Sequence, residues 1–80
     1  MGRSANPDAA LAAALRSLRI ERKLTQEAVA FRAGVTTGSV ARLELAQSVP
    51  GWDTVRQIAA ALGVSLRELA AAVEAEELPR

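Results

Sequence analysis

Few side chains in this sequence could take part in covalent or acid–base chemistry. It contains no His, Cys or Tyr, so the usual general bases and the thiol nucleophile are absent. Its one lysine, Lys23, lies at a predicted helix end, and its carboxylates lack the pairing or clustering that catalysis or metal binding needs. A glycine-rich phosphate loop is also missing. We therefore expect no enzyme activity, metal site, cofactor or small-molecule ligand, and we expect the protein to act by binding.

The strongest candidate for such binding is Arg42, a long hydrogen-bond donor in a short segment that is predicted to be helical. A helical wheel with about 100° per residue places Val40 and Leu43 on the inward side. The opposite face then carries Gly38, Ala41, Arg42 and Leu45, with Thr37 and Ser39 on its flanks. A guanidinium can donate to O6 and N7 of guanine as a fork, which is worth about 1–3 kcal/mol of base discrimination. The alternative is that Arg42 is an ordinary surface charge.

The elements that must position Arg42 are two short helices joined by a tight turn, within residues 26–45. The apolar residues that let these helices face each other are Val29, Ala33, Val35, Val40 and Leu43. Gly34 ends the first helix, where the chain needs a positive φ that a residue with a Cβ resists. Thr36 can cap the second helix by accepting a hydrogen bond from a free backbone N–H. This pattern predicts a helix-turn-helix and indicates DNA as the partner.

The sequence resembles the lambda-repressor and Cro-like family of helix-turn-helix proteins, also called the XRE type. The matching motifs are L-T-Q-E-A-V-A at 24–30, R-A-G-V-T at 32–36, R-L-E at 42–44 and I-A-A-A-L-G-V-S-L-R-E-L at 58–69. They stand in the family's order and spacing, within a region from about Leu15 to Leu69. The resemblance implies an all-α, compact five-helix lambda-repressor-like DNA-binding domain, in which helices 2 and 3 form the helix-turn-helix and helix 3 enters the major groove.

The first two helices have recognisable start signals. Helix 1 is predicted to begin at Pro7 with Asn6 as its cap, because the missing N–H of proline costs nothing at the first helical position. Its apolar face consists of Leu11, Leu15 and Leu18. Thr25 is the predicted cap of helix 2.

The second half of the chain predicts two further helices. Helix 4 is expected from about Trp52 to Leu62, ended by Gly63, with a core face of Trp52, Val55, Ile58, Ala59 and Leu62. Ser65 and Glu68 form a capping box that opens a helix over residues 66–78. All 80 residues are expected to form a single domain, with residues 1–5 disordered.

The fifth helix extends further than a minimal five-helix core requires. Its apolar stripe is Leu66, Leu69, Ala70 and Val73. One interpretation is a dimer seam, since members of the resembled family of this size commonly pair through this region. The alternative is a solvated helix end rich in Ala and Glu.

The resemblance also assigns contacts to individual residues. Base contacts fall on Thr37, Gly38 and Arg42, although Gly38 has no side chain to read a base, and Ala41 could touch a thymine methyl group. Phosphate contact falls on Gln26 at the start of helix 2, where free N–H groups and the helix dipole favour an anion. Weaker phosphate-contact candidates, each of which could equally be a cap or a solvated side chain, are Arg32, Thr36, Ser39 and Gln47.

Two further expectations concern how helix 3 is held. The family places a conformation-fixing ion pair at the positions of Arg19 and Glu44, and the wheel puts Glu44 closer to the buried side than to the groove. At Leu45 and Ala46 the family often has a polar or basic residue followed by Gly, so helix 3 is expected to run on there with Leu45 exposed. Lys23 likewise replaces a frequent Gly, which predicts a less relaxed turn.

Charge is uneven along the chain although the net charge is only +1. Residues 1–42 carry +4 and residues 43–80 carry −3. This asymmetry suits a domain with one face on phosphate and another on a partner, or it is ordinary surface scatter. The absence of Cys fits a reducing compartment, and no apolar stretch approaches bilayer length. A cytoplasmic protein without membrane contact is expected.

Two functions compete on these observations. The first is a sequence-specific regulator that binds double-stranded DNA, acting as a homodimer on a pseudo-palindromic operator. The second is a helix-turn-helix module that binds a protein partner, as an adaptor or a partner-neutralising protein, with weak or no DNA binding. The second is suggested by the weakly polar face formed by Gly38, Ala41 and Leu45.

Overall fold

The structure is a computed structural model that describes residues 7–78. Within this range the chain forms five helices and no strand: α1 (Ala9–Glu21), α2 (Gln26–Ala33), α3 (Thr37–Glu44), α4 (Trp52–Leu62) and α5 (Leu66–Glu77). The predicted all-α, five-helix architecture is confirmed. The expected disorder of residues 1–5 and the expected cap Asn6 lie outside the described residues.

Side-chain caps fix where most of the helices begin. Thr25, Thr36 and Ser65 each accept a hydrogen bond from the backbone N–H three residues later, at 3.0 Å. Glu68 returns a bond to the backbone N–H of Ser65 at 2.9 Å, which completes the predicted capping box. These caps satisfy N–H groups that have no partner inside the helix. The caps at Thr25, Thr36 and Ser65 are therefore confirmed.

The start of α1 differs from its prediction. Asp8 is the cap, because its Oδ1 accepts a hydrogen bond from the backbone N–H of Leu11 at 3.0 Å. The predicted start at Pro7 is wrong, since Pro7 precedes the cap and the helix begins at Ala9. A carboxylate also interacts favourably with the positive end of the helix dipole, which favours Asp8 at this position.

Four helices are followed within two residues by a residue with positive φ: Lys23 (57°), Gly34 (74°), Ala46 (56°) and Gly63 (75°). In each case the next residue donates its N–H to a carbonyl five residues earlier, as Val35 does to Ala30 at 3.0 Å. This is the Schellman arrangement, which satisfies the last carbonyls of a helix. The predicted stops at Gly34 and Gly63 are confirmed.

The prediction that α3 runs on past Leu45 is wrong. The helix ends at Glu44, and Ala46 takes the left-handed conformation although it carries a Cβ. The backbone N–H of Gln47 donates to the carbonyl of Arg42 at 2.8 Å, so the closing hydrogen bonds of the turn outweigh the steric cost at Ala46.

The core lies where all five helices meet. α2 packs against α3 and α4, while α1 packs against α3 and α5. The buried residues that form one core cluster are aliphatic or alanine: Leu15, Leu18, Val29, Ala30, Ala33, Val40, Leu43, Ile58, Ala59, Ala61, Leu62, Val64 and Leu69. The helix-turn-helix pair α2–α3 therefore packs against α1 and α4. No helix within residues 7–78 combines the length and apolarity needed to cross a bilayer.

Trp52 corrects one prediction about this core. It was expected on the core face of α4, but its side chain is 64% exposed. Trp52 is the first residue of α4 and lies over a surface groove that Leu11 and Leu66 also line. The helical wheel identifies its side of the helix correctly, but a wheel carries no information about where along its axis a helix leaves the core.

Candidate nucleic-acid interface

The outer face of α3 is the candidate surface for nucleic acid. Val40 and Leu43 are buried, as the helical wheel predicts. On the opposite side, the exposed residues are Thr37, Gly38, Arg42 and Leu45, and Ser39 and Ala41 are half-buried. The structure thus brings the four predicted base-contact residues, Thr37, Gly38, Ala41 and Arg42, onto one side of one helix.

The first turn of α3 is organised by two hydrogen bonds between Thr36 and Ser39. The Thr36 Oγ1 accepts from the backbone N–H of Ser39 at 3.0 Å, and its own proton is donated to the Ser39 Oγ at 2.9 Å. These two hydroxyls share one hydrogen bond, so only one of them has a proton free for a phosphate unless the bond breaks.

Arg42 lies against Gly38, one turn earlier in the helix. A Cβ placed on Gly38 would stand 3.3 Å from Nη1 of Arg42, which is closer than ordinary van der Waals contact. The guanidinium therefore extends back toward the start of α3, in the direction that long side chains take in helices. Sequence analysis missed this relation, although the i, i+4 spacing of a glycine and an arginine could have indicated it.

Gln26, the predicted phosphate contact, is the first residue of α2. Its Nε2 donates to Oε1 of Glu44 at 3.1 Å. An amide nitrogen carries two protons, so one N–H can still reach a ligand while the other holds the side chain in place. Gln26 and Thr37 line one open depression between the starts of α2 and α3.

Glu44 is also bound by Arg19 of α1. Arg19 Nε lies 2.7 Å from Glu44 Oε2, and Arg19 Nη2 lies 3.0 Å from Oε1. The two side chains are only 15% and 4% exposed. The hydrogen bond to Glu44 raises the pKa of the Arg19 guanidinium above its ordinary value. The expected ion pair is thus present, and it ties α1 to the end of α3.

The same arginine also holds the turn between α1 and α2. Its Nη1 donates to the carbonyl of Leu24 at 2.9 Å, next to the positive-φ residue Lys23. Together with the bond from Gln26, the Arg19–Glu44 pair joins the end of α1, the start of α2 and the end of α3. We interpret this cluster as the support that fixes the orientation of α3.

The two other phosphate candidates lie further from this cluster. Arg32 is exposed in the last turn of α2, at the opposite end from Gln26. Gln47 is exposed just after α3, and its backbone N–H is already bonded to Arg42. Among residues 7–78, no group of three or more His, Cys, Asp or Glu side chains is placed to hold a metal ion.

Large apolar side chains are also exposed on α2 and just after α3. Leu45 is 65% exposed, as expected, and Phe31 on α2 is 88% exposed. Sequence analysis did not consider Phe31. Its exposure could have been inferred because it falls off the stripe formed by Val29, Ala30 and Ala33.

A second apolar surface lies away from α3, and we call it the α1–α5 groove. Its lining residues are Leu11, Trp52, Leu66, Leu69, Ala70, Val73 and Glu74. Of the predicted seam, Leu69 is buried in the core of its own chain, whereas Ala70 is exposed and Val73 is half-buried. Only Leu66, Ala70 and Val73 therefore offer surface that a partner could cover, and Trp52 adds to it.

Comparison with protein families gives one match, to a model described as a helix-turn-helix domain, over residues 10–72. This range contains both helices of the candidate interface and most of the core. No curated protein sequence matches significantly.

Several solved structures are similar to this chain. The clp gene regulator ClgR from Corynebacterium glutamicum superposes with a TM-score of 0.85 at 23% identity, covering 96% of this chain and 100% of that one. The restriction-modification controller protein C.AhdI from Aeromonas hydrophila gives 0.74 at 31% identity, covering 76% and 92%. The wild-type restriction-modification controller protein C.Esp1396I gives 0.88 at 17% identity, covering 96% and 99%.

Proposed function

The chain belongs to the helix-turn-helix domain family of DNA-binding regulators, and from that premise we propose that it binds one operator sequence as a homodimer and regulates transcription by occupying it. Such a regulator would act in the cytoplasm, and its control would come from its own concentration. C.AhdI, which is 31% identical over most of its length, is named as a restriction-modification controller protein. That similarity supports a regulatory role.

The observation that carries this proposal is the placement of Arg42 on a rigidly held, exposed helix face. Arg42 and Thr37 are exposed on α3, while Val40 and Leu43 are buried beneath them. A helix presented in this way can enter the major groove with its first turn toward the base edges. Arg42 would then supply the fork that recognises guanine.

Phosphate contacts would set the register of α3 on the duplex. Gln26 lies at the N-terminus of α2, where free N–H groups and the helix dipole favour an anion. Its remaining amide N–H could reach the same phosphate. Ser39 on the flank of α3 would bind a phosphate through its hydroxyl. We propose Arg32, Thr36 and Gln47 as weaker contacts of the same kind.

The α1–α5 groove supports the homodimer. Trp52 is 64% exposed beside Leu66 and Val73, so the groove presents apolar surface that a second copy could cover. A second copy that covered this groove would present two recognition helices to one duplex. Its operator would then be pseudo-palindromic, with half-sites about one helical turn apart.

A second candidate function is binding of a protein partner through the α2–α3 face. The observation in its favour is the exposure of Leu45 and Phe31, because apolar side chains make poor contacts with phosphate. The two functions differ in their dependence on salt. DNA binding releases counterions, so its affinity falls steeply as salt rises, whereas an apolar protein interface is much less sensitive.

The test is a titration of the protein with a duplex at two salt concentrations. A regulator that contacts six or more phosphates should lose about 1,000-fold in affinity between 50 and 200 mM salt. Gln26→Ala should weaken binding without changing this dependence, because a neutral amide releases no counterion, while Gln57→Ala, an exposed glutamine on α4, is the matched control. Absence of DNA binding at low salt, with a stable protein complex that Leu45→Ser abolishes, would favour the second function.

A further inference from the structure

We propose that Gly38 is a positioning residue for base recognition, because the lack of a side chain there lets the guanidinium of Arg42 lie over the first turn of α3. The inference rests on the proposed function and specifies how that function would select its sequence. Arg42 would read its base from the place that a side chain at position 38 would otherwise fill.

The backbone does not require glycine at position 38. Gly38 lies inside α3, and its φ is not in the left-handed region that favours glycine. Glycine inside a helix is less favourable than alanine. The backbone conformation therefore does not explain why position 38 is a glycine. The space above Gly38, which a side chain would occupy, offers another reason.

A side chain at position 38 would contact the guanidinium of Arg42. A Cβ on Gly38 would stand 3.3 Å from Arg42 Nη1 and 4.0 Å from Thr36 Oγ1. The first distance is short enough that the guanidinium would have to move by a few tenths of an ångström. The second distance is an ordinary van der Waals contact, so the arginine is the group that must shift.

The position of Arg42 along α3 also bears on how a base would be read. The first turn of a recognition helix faces the base edges, but Arg42 is the sixth residue of α3. By extending back across Gly38, its guanidinium reaches the first turn. A bidentate fork on guanine depends on the position and plane of the guanidinium, so a small displacement weakens discrimination.

The experiment is a double-mutant cycle on Gly38→Ala and Arg42→Ala. A preferred duplex is first selected with the wild-type protein from a randomised pool. The base pair whose preference is lost in Arg42→Ala is then changed, and the affinity ratio between the two duplexes is measured for all four proteins. Binding to a random-sequence duplex and the melting temperature are measured beside it.

We expect Gly38→Ala to lower the preference at that base pair by at least about threefold. In the Arg42→Ala background, which has already lost this preference, the same substitution should leave the affinity for the selected duplex within about twofold of that of Arg42→Ala alone. Affinity for the random-sequence duplex should stay within about twofold, since the phosphate contacts are unchanged. The melting temperature should be unchanged or higher by up to about 5 °C, because alanine favours the helix, so a loss of folding cannot explain a loss of preference.

Two results would overturn the inference while leaving the proposed function intact. One is a Gly38→Ala protein that keeps the wild-type preference. The other is a loss of affinity for the selected duplex that is equally large with and without Arg42, because Gly38 would then act independently of the arginine. If the wild type selects no duplex at all, the proposed function fails and this inference fails with it.

Discussion

The guanidinium of Arg19 on α1 and the carboxylate of Glu44 on α3 face each other in a two-point hydrogen bond, with Nε–Oε2 at 2.7 Å and Nη2–Oε1 at 3.0 Å. Glu44 also accepts from Gln26 at 3.1 Å, and Arg19 also donates to the carbonyl of Leu24 at 2.9 Å. Glu44 is only two residues beyond Arg42. The cluster therefore fixes the helix that carries the proposed base-reading residue.

Glu44→Ala should destabilise the fold before it alters DNA specificity. It leaves the mostly buried guanidinium of Arg19 without its carboxylate, which typically costs about 3 kcal/mol or more. For a domain of this size, the melting temperature should fall by about 10 °C or more, measured by circular dichroism. Glu21→Ala, which removes a largely exposed carboxylate on α1, is the control and should change it little. An unchanged melting temperature in Glu44→Ala would contradict the structural role of the pair.

Ala46→Gly should stabilise the protein. Ala46 has a φ of 56° at the end of α3, a conformation that costs a residue with a Cβ about 1–2 kcal/mol and glycine almost nothing. We expect a gain of about 0.5–1 kcal/mol in the free energy of unfolding by urea titration, after the extra backbone entropy of glycine is included. Ala60→Gly, at an exposed position inside α4, should be destabilising by a similar amount. The account of the turn fails if both substitutions destabilise.

Glu68 should make the stability of α5 depend on pH. The backbone N–H of Ser65, and then its side chain, lower the pKa of the Glu68 carboxyl. The carboxylate form is thus favoured in the folded state, and its contribution is complete above the pKa of the unfolded chain. That contribution is lost as the pH falls through the lower pKa of the folded chain.

The corresponding measurement compares the melting temperatures of the wild type and Glu68→Gln between pH 7 and pH 3. The wild type should lose more than the variant over this range, because glutamine has no proton to gain. Glu27→Gln is a suitable control, since Glu27 is in the first turn of α2 but does not form a capping box. Equal losses in the wild type and Glu68→Gln would show that the capping box does not titrate in this range.

Disrupting the α1–α5 groove should give a monomer. Leu66→Glu combined with Val73→Glu introduces two charges into the apolar surface proposed to pair with a second copy. Sedimentation at micromolar concentration should show a dimer for the wild type and a monomer for the double variant. Phe31→Glu is the control, because Phe31 is 88% exposed on α2 and does not line the groove. A dimer that survives the two charges would move the interface elsewhere.

The fold was largely predictable because its signals are local. The caps at Thr25, Thr36 and Ser65 and the stops at Gly34 and Gly63 are encoded by single residues with defined backbone preferences. One error arose where the hydrogen bonds of a turn overrode such a preference. Ala46 adopts a left-handed φ because the closing hydrogen bonds of the turn require it. An alanine in the sequence does not indicate a positive φ.

The candidate site was predictable in its composition but not in its arrangement. Periodicity assigned Arg42 to the outer face of α3 and Thr37 to its flank, and both side chains are exposed in the structure. It could not show that the guanidinium of Arg42 lies over Gly38, since that depends on a side-chain rotamer. The exposure of Trp52 was missed for a similar reason, because it depends on where α4 emerges from the core.

The most direct test of the account is a selection of binding sites from randomised duplexes, with the wild type beside Arg42→Ala. The account predicts that the wild type enriches a pseudo-palindromic motif whose half-sites are about one helical turn apart, and that Arg42→Ala loses a guanine from each half-site. Arg42→Ala should keep the wild-type melting temperature, because Arg42 is an exposed side chain. A wild-type protein that enriches no motif over the variant would contradict the central claim and favour a protein partner for α3.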